Sequence, residues 1–139
     1  MKLKIFLIAL DDQGKVGEQI GCGDSIVPVQ LTIPATTTPL RASIQHLLNL
    51  SAEIPEDFPN PNATHLHNPL YRSHLTIDSI SINNGTANIR LLGNLQINGV
   101  CDGPRFVAQF EKTALQFSTV QQVAVFINGV PLEDLLSEQ

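Results

Sequence analysis

At 139 residues the chain has room for one ordinary domain, spanning 1–139, and is long enough to bury a core without a stabilising metal. Only 15% of its residues are charged, against about 25% in typical globular domains, and its net charge is −5. The eight Lys and Arg stand singly, so nothing is available to displace counterions from a nucleic acid or to grip an anionic lipid surface, and both are excluded as primary partners.

Residues 4–10 read as a first strand, apolar enough to be covered on both faces. The apolar part, Ile5 to Leu10, is shorter than the core of a signal peptide (about 7–15 residues) or a membrane span (about 20). No direct membrane insertion is expected of this segment, and any targeting segment is expected upstream of it. Residues 11–23 are polar and carry Gly14, Gly17, Gly21 and Gly23, which predicts a mobile connection. Residues 25–33 then alternate: Val27, Val29, Leu31 and Ile33 fall on one side, and Ile26, Pro28, Gln30 and Thr32 on the other. Pro28 cannot donate to a ladder, so this strand should be an edge or carry a break there.

Thr38-Pro39 is a helix start, a hydroxyl residue followed by Pro at the first helical position. Leu40, Ile44, Leu47 and Leu48 then form one apolar stripe, and the helix should end between Asn49 and Ser51. Pro55, Pro59 and Pro61 make residues 53–68 the longest loop. At 75–92, Asn84-Gly85 predicts a two-residue type I′ hairpin turn, which sets Asn83 opposite Thr86, Ile82 opposite Ala87 and Ile80 opposite Ile89. Ile77 is out of phase by one position, so a β-bulge is expected at Asp78-Ser79, bringing Ile77 opposite Leu91.

A second helix is expected from Pro104, with Asp102 placed to cap it and Phe106, Val107, Phe110, Ala114 and Phe117 at helical spacing. Residues 122–127 read as the last strand, Asn128-Gly129 as its end, and 132–136 as one helical turn. The element order is β-β-α-β-β-α-β, an α+β class.

This order, together with four stretches, resembles the GerMN domain of sporulation and spore-germination proteins. The stretches are Val27 to Pro34, the helix from Pro39 to Asn49, residues 75–91, and the ending Thr113-Ala114-Leu115-Gln116-Phe117 through Val120, Val123 and Val125 to Asn128-Gly129. The chain departs from the family pattern in following its first helix with Asn49-Leu50-Ser51 rather than Gly-Pro, and its Val27-Pro28-Val29 with Gln30-Leu31. The resemblance implies two helices packed on one face of a small mixed sheet, similar to ring-building-motif domains. It further implies an extracytoplasmic module of the bacterial envelope, often on lipoproteins, without enzymatic activity or cofactor. Family members carry cysteines near the points where Cys22 and Cys101 fall, so the resemblance implies a disulfide between them; two free buried thiols are the alternative.

The remaining chemistry is sparse. His65 and His67 would face one way in an extended segment, with His74 and Asp57 nearby, but no second ligand pair at fixed spacing accompanies them, so no metal site is assigned. No Gly-x-Ser-x-Gly, no cysteine beside a histidine and no phosphate-binding Gly-rich motif is present, so no catalytic residue is assigned. Phe106, Phe110 and Phe117 lie on the stripe that must face the sheet and are read as core. Phe126 and Ala124 alternate with Val125 and Ile127, and form a contact surface if the helices cover one sheet face only. The expected function is a non-catalytic interaction module binding an envelope protein or cell-wall component through its sheet surface or an edge strand. The alternative is a small-molecule or glycan site under the loop at 53–72.

Overall fold

The computed structural model describes residues 1–51 and 66–138. The strands divide between two four-stranded sheets. The first holds β1 (Lys2–Ala9), β2 (Glu18–Gln19), β3 (Ser25–Thr32) and β4 (Leu66–His67), in the order β2-β3-β1-β4 and antiparallel throughout. The second holds β5 (Thr76–Asn83), β6 (Thr86–Leu92), β7 (Gln122–Ile127) and β8 (Val130–Pro131), in chain order, with β6 and β7 parallel. Helix α1 (Pro39–Asn49) packs on β1 and β5, and α2 (Asp102–Leu115) packs on β1 and β7. The α+β class and the order of the long elements are those expected. The division into two sheets, with both helices shared between them, was not visible in the residue pattern. A short α3 (Leu132–Ser137) closes the chain.

In β1, Leu3, Ile5, Leu7 and Ala9 are buried on one face, whereas Lys2 and Lys4 are exposed and Phe6 half-buried on the other, which is fully covered only at Ile8. The strand is thus less enclosed than its apolar run predicted. β2 pairs only with Ser25 and Ile26, so β3 is an edge where Pro28 sits, as a residue without an amide hydrogen requires.

Helix α1 has its expected bounds, with Leu40, Ile44, Leu47 and Leu48 all buried. Thr38 stands at the N-cap position, but its hydroxyl makes no cap bond and lies 3.2 Å from the Thr36 hydroxyl. The hairpin turn has Asn84 and Gly85 both at positive φ, 51° and 81°. The register slips between Ile77 and Ser79, pairing Ile77 with Leu91. A side chain at position 85 would collide with Gln121, whose amide donates to the Gly85 carbonyl at 2.7 Å, so glycine serves both the turn and the entry to β7.

Three regions depart from the sequence reading. Helix α2 begins at Asp102, two residues early, with Cys101 at its N-cap. Asp102 therefore acts inside the first turn: its carboxylate accepts the Asn98 amide (2.8 Å) and pairs with Arg105. Residues 11–23, expected to be mobile, are tied by hydrogen bonds. Asp12 accepts from the Gly14 and Val16 amides and the Ser25 hydroxyl, Asp24 accepts from the Asp11 amide, and Gln13 donates to the Gly23 carbonyl. The far end of the expected long loop is core: Leu66 and Leu70 are buried, and Pro69–Ser73 forms a 3₁₀ turn. Asn68, fully buried, donates to the Leu47 and Leu50 carbonyls at 2.8 Å each and so receives the end of α1.

Candidate functional site

The first sheet is locked to α2. Cys22, in a 3₁₀ turn at Gly21–Gly23, is disulfide-bonded to Cys101, with Cα atoms 5.9 Å apart. Cys22 is exposed and holds φ at 65°. Beside it, Arg105 pairs with Asp24 at 2.7 Å and with Asp102 at 3.2 Å, both carboxylates being buried. Lys112 adds an exposed pair with Glu18. With each of these carboxylates paired to a cation and the thiols joined, this cluster holds the glycine-rich connection to the start of α2, and offers no free thiol.

Helix α2 also closes the open edge of β1. Gln116, just beyond the helix, donates to the Lys4 carbonyl at 2.7 Å and accepts the Lys4 amide at 2.8 Å, the two bonds a neighbouring strand would make. Two turns earlier Gln109 donates to the Phe6 carbonyl and to Asn68 Oδ1. The Gln109 Oε1 and Thr113 Oγ1 atoms are buried without partners.

The second sheet is different. Its inner face, Ala87, Ile89 and Leu91 with Val125 and Ile127, is buried. Its outer face carries Ser79, Ser81 and Asn83, then Thr86, Asn88 and Arg90, then Gln122, Ala124 and Phe126, all half-buried or exposed. The Arg90 guanidinium lies 4.5 Å from the centre of the Phe126 ring, a cation–π contact that shields part of that ring. Phe126 and Ala124 are thus half-buried neighbours on the outer face of the sheet, where strand alternation put them.

A groove of about 650 Å³ runs between β5 and the start of α1. Leu40, Pro39, Ile80, Ile82 and Phe117 give it apolar walls; Ser81, Ser118, Thr119, Thr37 and Thr38 rim it; Arg41 is its one charged lining residue among the described residues. Phe117, expected in the core beside Phe106 and Phe110, is only half-buried because α2 has ended at Leu115 and the chain turns there. Nothing in the sequence marked this groove, since its walls come from segments far apart in the chain.

His65 and Asp57 lie outside the described residues, as does most of the loop proposed to roof a ligand pocket at 53–72. His67 is buried in β4, and His74 is exposed after the 3₁₀ turn. No group of three or more His, Cys, Asp or Glu suited to a metal ion occurs among the described residues.

The family described as Sporulation and spore germination matches residues 6–133. The chain is a GerMN domain of that family. It is similar to the first GerMN domain of the sporulation protein GerM from Bacillus subtilis, at a TM-score of 0.63 and 17% identity over 96% of this chain and 86% of that one. The tandem GerMN domains of the same protein match at a TM-score of 0.61 and 14% identity, over 93% of this chain and 39% of that one. At such identities the likeness concerns the fold. No curated protein matches. The family of this GerMN domain is a sporulation and germination family, not a known enzyme family. No described helix is long and apolar enough to cross a membrane.

Proposed function

We propose that this GerMN domain is a non-catalytic interaction module of the bacterial cell envelope, working outside the cytoplasm and binding another protein or a wall component through its second sheet. The observation that carries this is the outer face of β5, β6 and β7: a low-charge surface with Phe126 and Ala124 half-buried and Arg90 stacked on the ring. Surfaces of this kind bind through a few aromatic and Arg anchors surrounded by polar groups. The Cys22–Cys101 disulfide supports an oxidising compartment, where such bonds persist. The absence of catalytic motifs in the sequence, and the pairing of the buried Asp24 and Asp102 with Arg105, support a binding role over chemistry.

A photocrosslinking amino acid placed at Ala124 in cells tests the proposal. It should give a discrete adduct with an envelope protein or wall polymer that the same probe at the exposed Glu133 does not. Equal labelling from both positions would remove the second sheet as the binding surface.

A further inference from the structure

We infer, on the reading of this domain as an interaction module, that the open edge of β5 and the adjoining groove together receive an extended peptide segment of a partner protein, with alternate side chains apolar and a carboxylate near Arg41. The hairpin sets the geometry. Its two-residue turn makes Asn83 and Thr86 the hydrogen-bonded pair, so Asn83, Ser81 and Ser79 aim their amides and carbonyls at β6. Ile82 and Ile80, the residues between them, aim theirs away from the sheet. Strand β5 is the last in its sheet, and no described residue hydrogen-bonds to these outward groups.

The same two residues line the groove with their side chains, and Ile82 is 40% exposed. Two recognition elements therefore coincide. Outward backbone groups call for another peptide backbone, which a lipid chain or a sugar cannot supply in that spacing. The apolar pocket beneath them, walled by Leu40 and Phe117, accepts every second side chain of an added strand, since strand side chains alternate between faces. Charge gives the third element. Arg41 is at the groove, α1 has no acidic residue in its first turn, and the helix start carries the positive end of its dipole. In a chain of net charge −5, this is a locally cationic place suited to a carboxylate.

The remaining edges favour the same choice. Gln116 and Gln109 occupy the edge of β1, Pro28 interrupts that of β3, and β2, β4 and β8 are two residues long. Strand β7 is unpaired by β8 over its first four residues, but Glu111 and Glu133 stand beside that stretch and would repel a carboxylate. From Ser79 to Asn83, β5 has neither proline nor lysine, the residues that commonly blunt an edge.

The test titrates the ¹⁵N-labelled domain with the synthetic peptide N-acetyl-Thr-Val-Thr-Val-Thr-Asp bearing a free carboxylate. Resonance shifts should centre on Ile80, Ile82, Leu40 and Arg41, with the Ile80 and Ile82 amides slowed in hydrogen exchange. Arg41→Glu, which leaves the edge intact, should weaken binding about tenfold, a typical loss when a facing charge is reversed. Ile82→Pro should abolish binding while leaving the β5–β6 ladder in place, because its amide points outward. Phe126→Ser should leave the titration unchanged. No shifts at millimolar peptide would overturn the inference, as would equal binding of decanoate, which lacks a backbone, or dimerisation through β5 without peptide. Shifts confined to the outer face around Phe126 would overturn it too, while leaving the interaction-module reading to the Ala124 crosslink.

Discussion

Strands β1 and β5 are each eight residues long, and each has a stretch of edge that no strand of its sheet pairs, yet the protein treats them in opposite ways. At β1 the side-chain amide of Gln116 reproduces a strand's two hydrogen bonds to Lys4, across 112 positions of sequence. At β5 the outward groups of Ile80 and Ile82 make no hydrogen bond to a described residue, and an apolar groove opens beside them. The same fold therefore contains a closed edge and an accessible one. One end is tied by its disulfide and its Arg105 cluster; at the other, β5 keeps its outward groups free of hydrogen bonds to any described residue.

The comparison breaks most severely at α2, which serves both sheets. Phe110→Ala should cost about 3–5 kcal/mol, the range for deleting a buried phenylalanine, because Phe110 is fully buried in the shared core. Thermal and denaturant melts check it, and a shift of only a degree or two would mean that the two sheets do not depend on a common helix. Next comes the disulfide. Replacing Cys22 and Cys101 together by serine should cost about 2–4 kcal/mol, since the bond closes a long loop in the unfolded chain. Hydrogen exchange should then rise at residues 11–24 and stay constant along β5; a rise along β5 would show that the two ends are not independent.

A smaller effect sharpens the contrast directly. Gln116→Ala should cost about 1 kcal/mol, the net contribution of ordinary hydrogen bonds, and should speed exchange of the Lys4 amide. Unchanged exchange at Lys4 would remove the argument that Gln116 closes this edge. Smallest is a pH effect in the first-sheet connection. Burial raises the Asp12 pKa, but the Ser25 hydroxyl and the Val16 and Gly14 amides together outweigh it and hold the carboxyl below its ordinary value of 3.8. A depressed carboxyl contributes stability above its unfolded pKa that is lost as pH falls through the folded one. The melting temperature should thus fall more steeply below pH 3.8 in the native protein than in Asp12→Asn. Parallel curves would show that Asp12 does not anchor this connection.

What could be read from the sequence was local. The bounds of α1, the Asn84-Gly85 turn and the bulge at Asp78 depend on residues within a few positions of one another, where apolar periodicity and positive φ leave few choices. The placement of Phe126 and Ala124 on the outer sheet face followed from strand alternation, and the Cys22–Cys101 pairing from family resemblance. Local signals misplaced the start of α2, because Pro104 marks a favoured first-turn residue and says nothing of the cysteine three positions earlier that a distant partner holds. Only the tertiary structure decided that the strands form two sheets, that Asn68 receives the end of α1, that Gln109 and Gln116 close β1, and that Phe117 faces a groove. Each of these joins segments more than about ten residues apart, where any of several polar or apolar residues satisfies the pattern. Which one does so depends on how the two sheets share their helices, and that arrangement is set by packing of the whole core rather than by any run of residues.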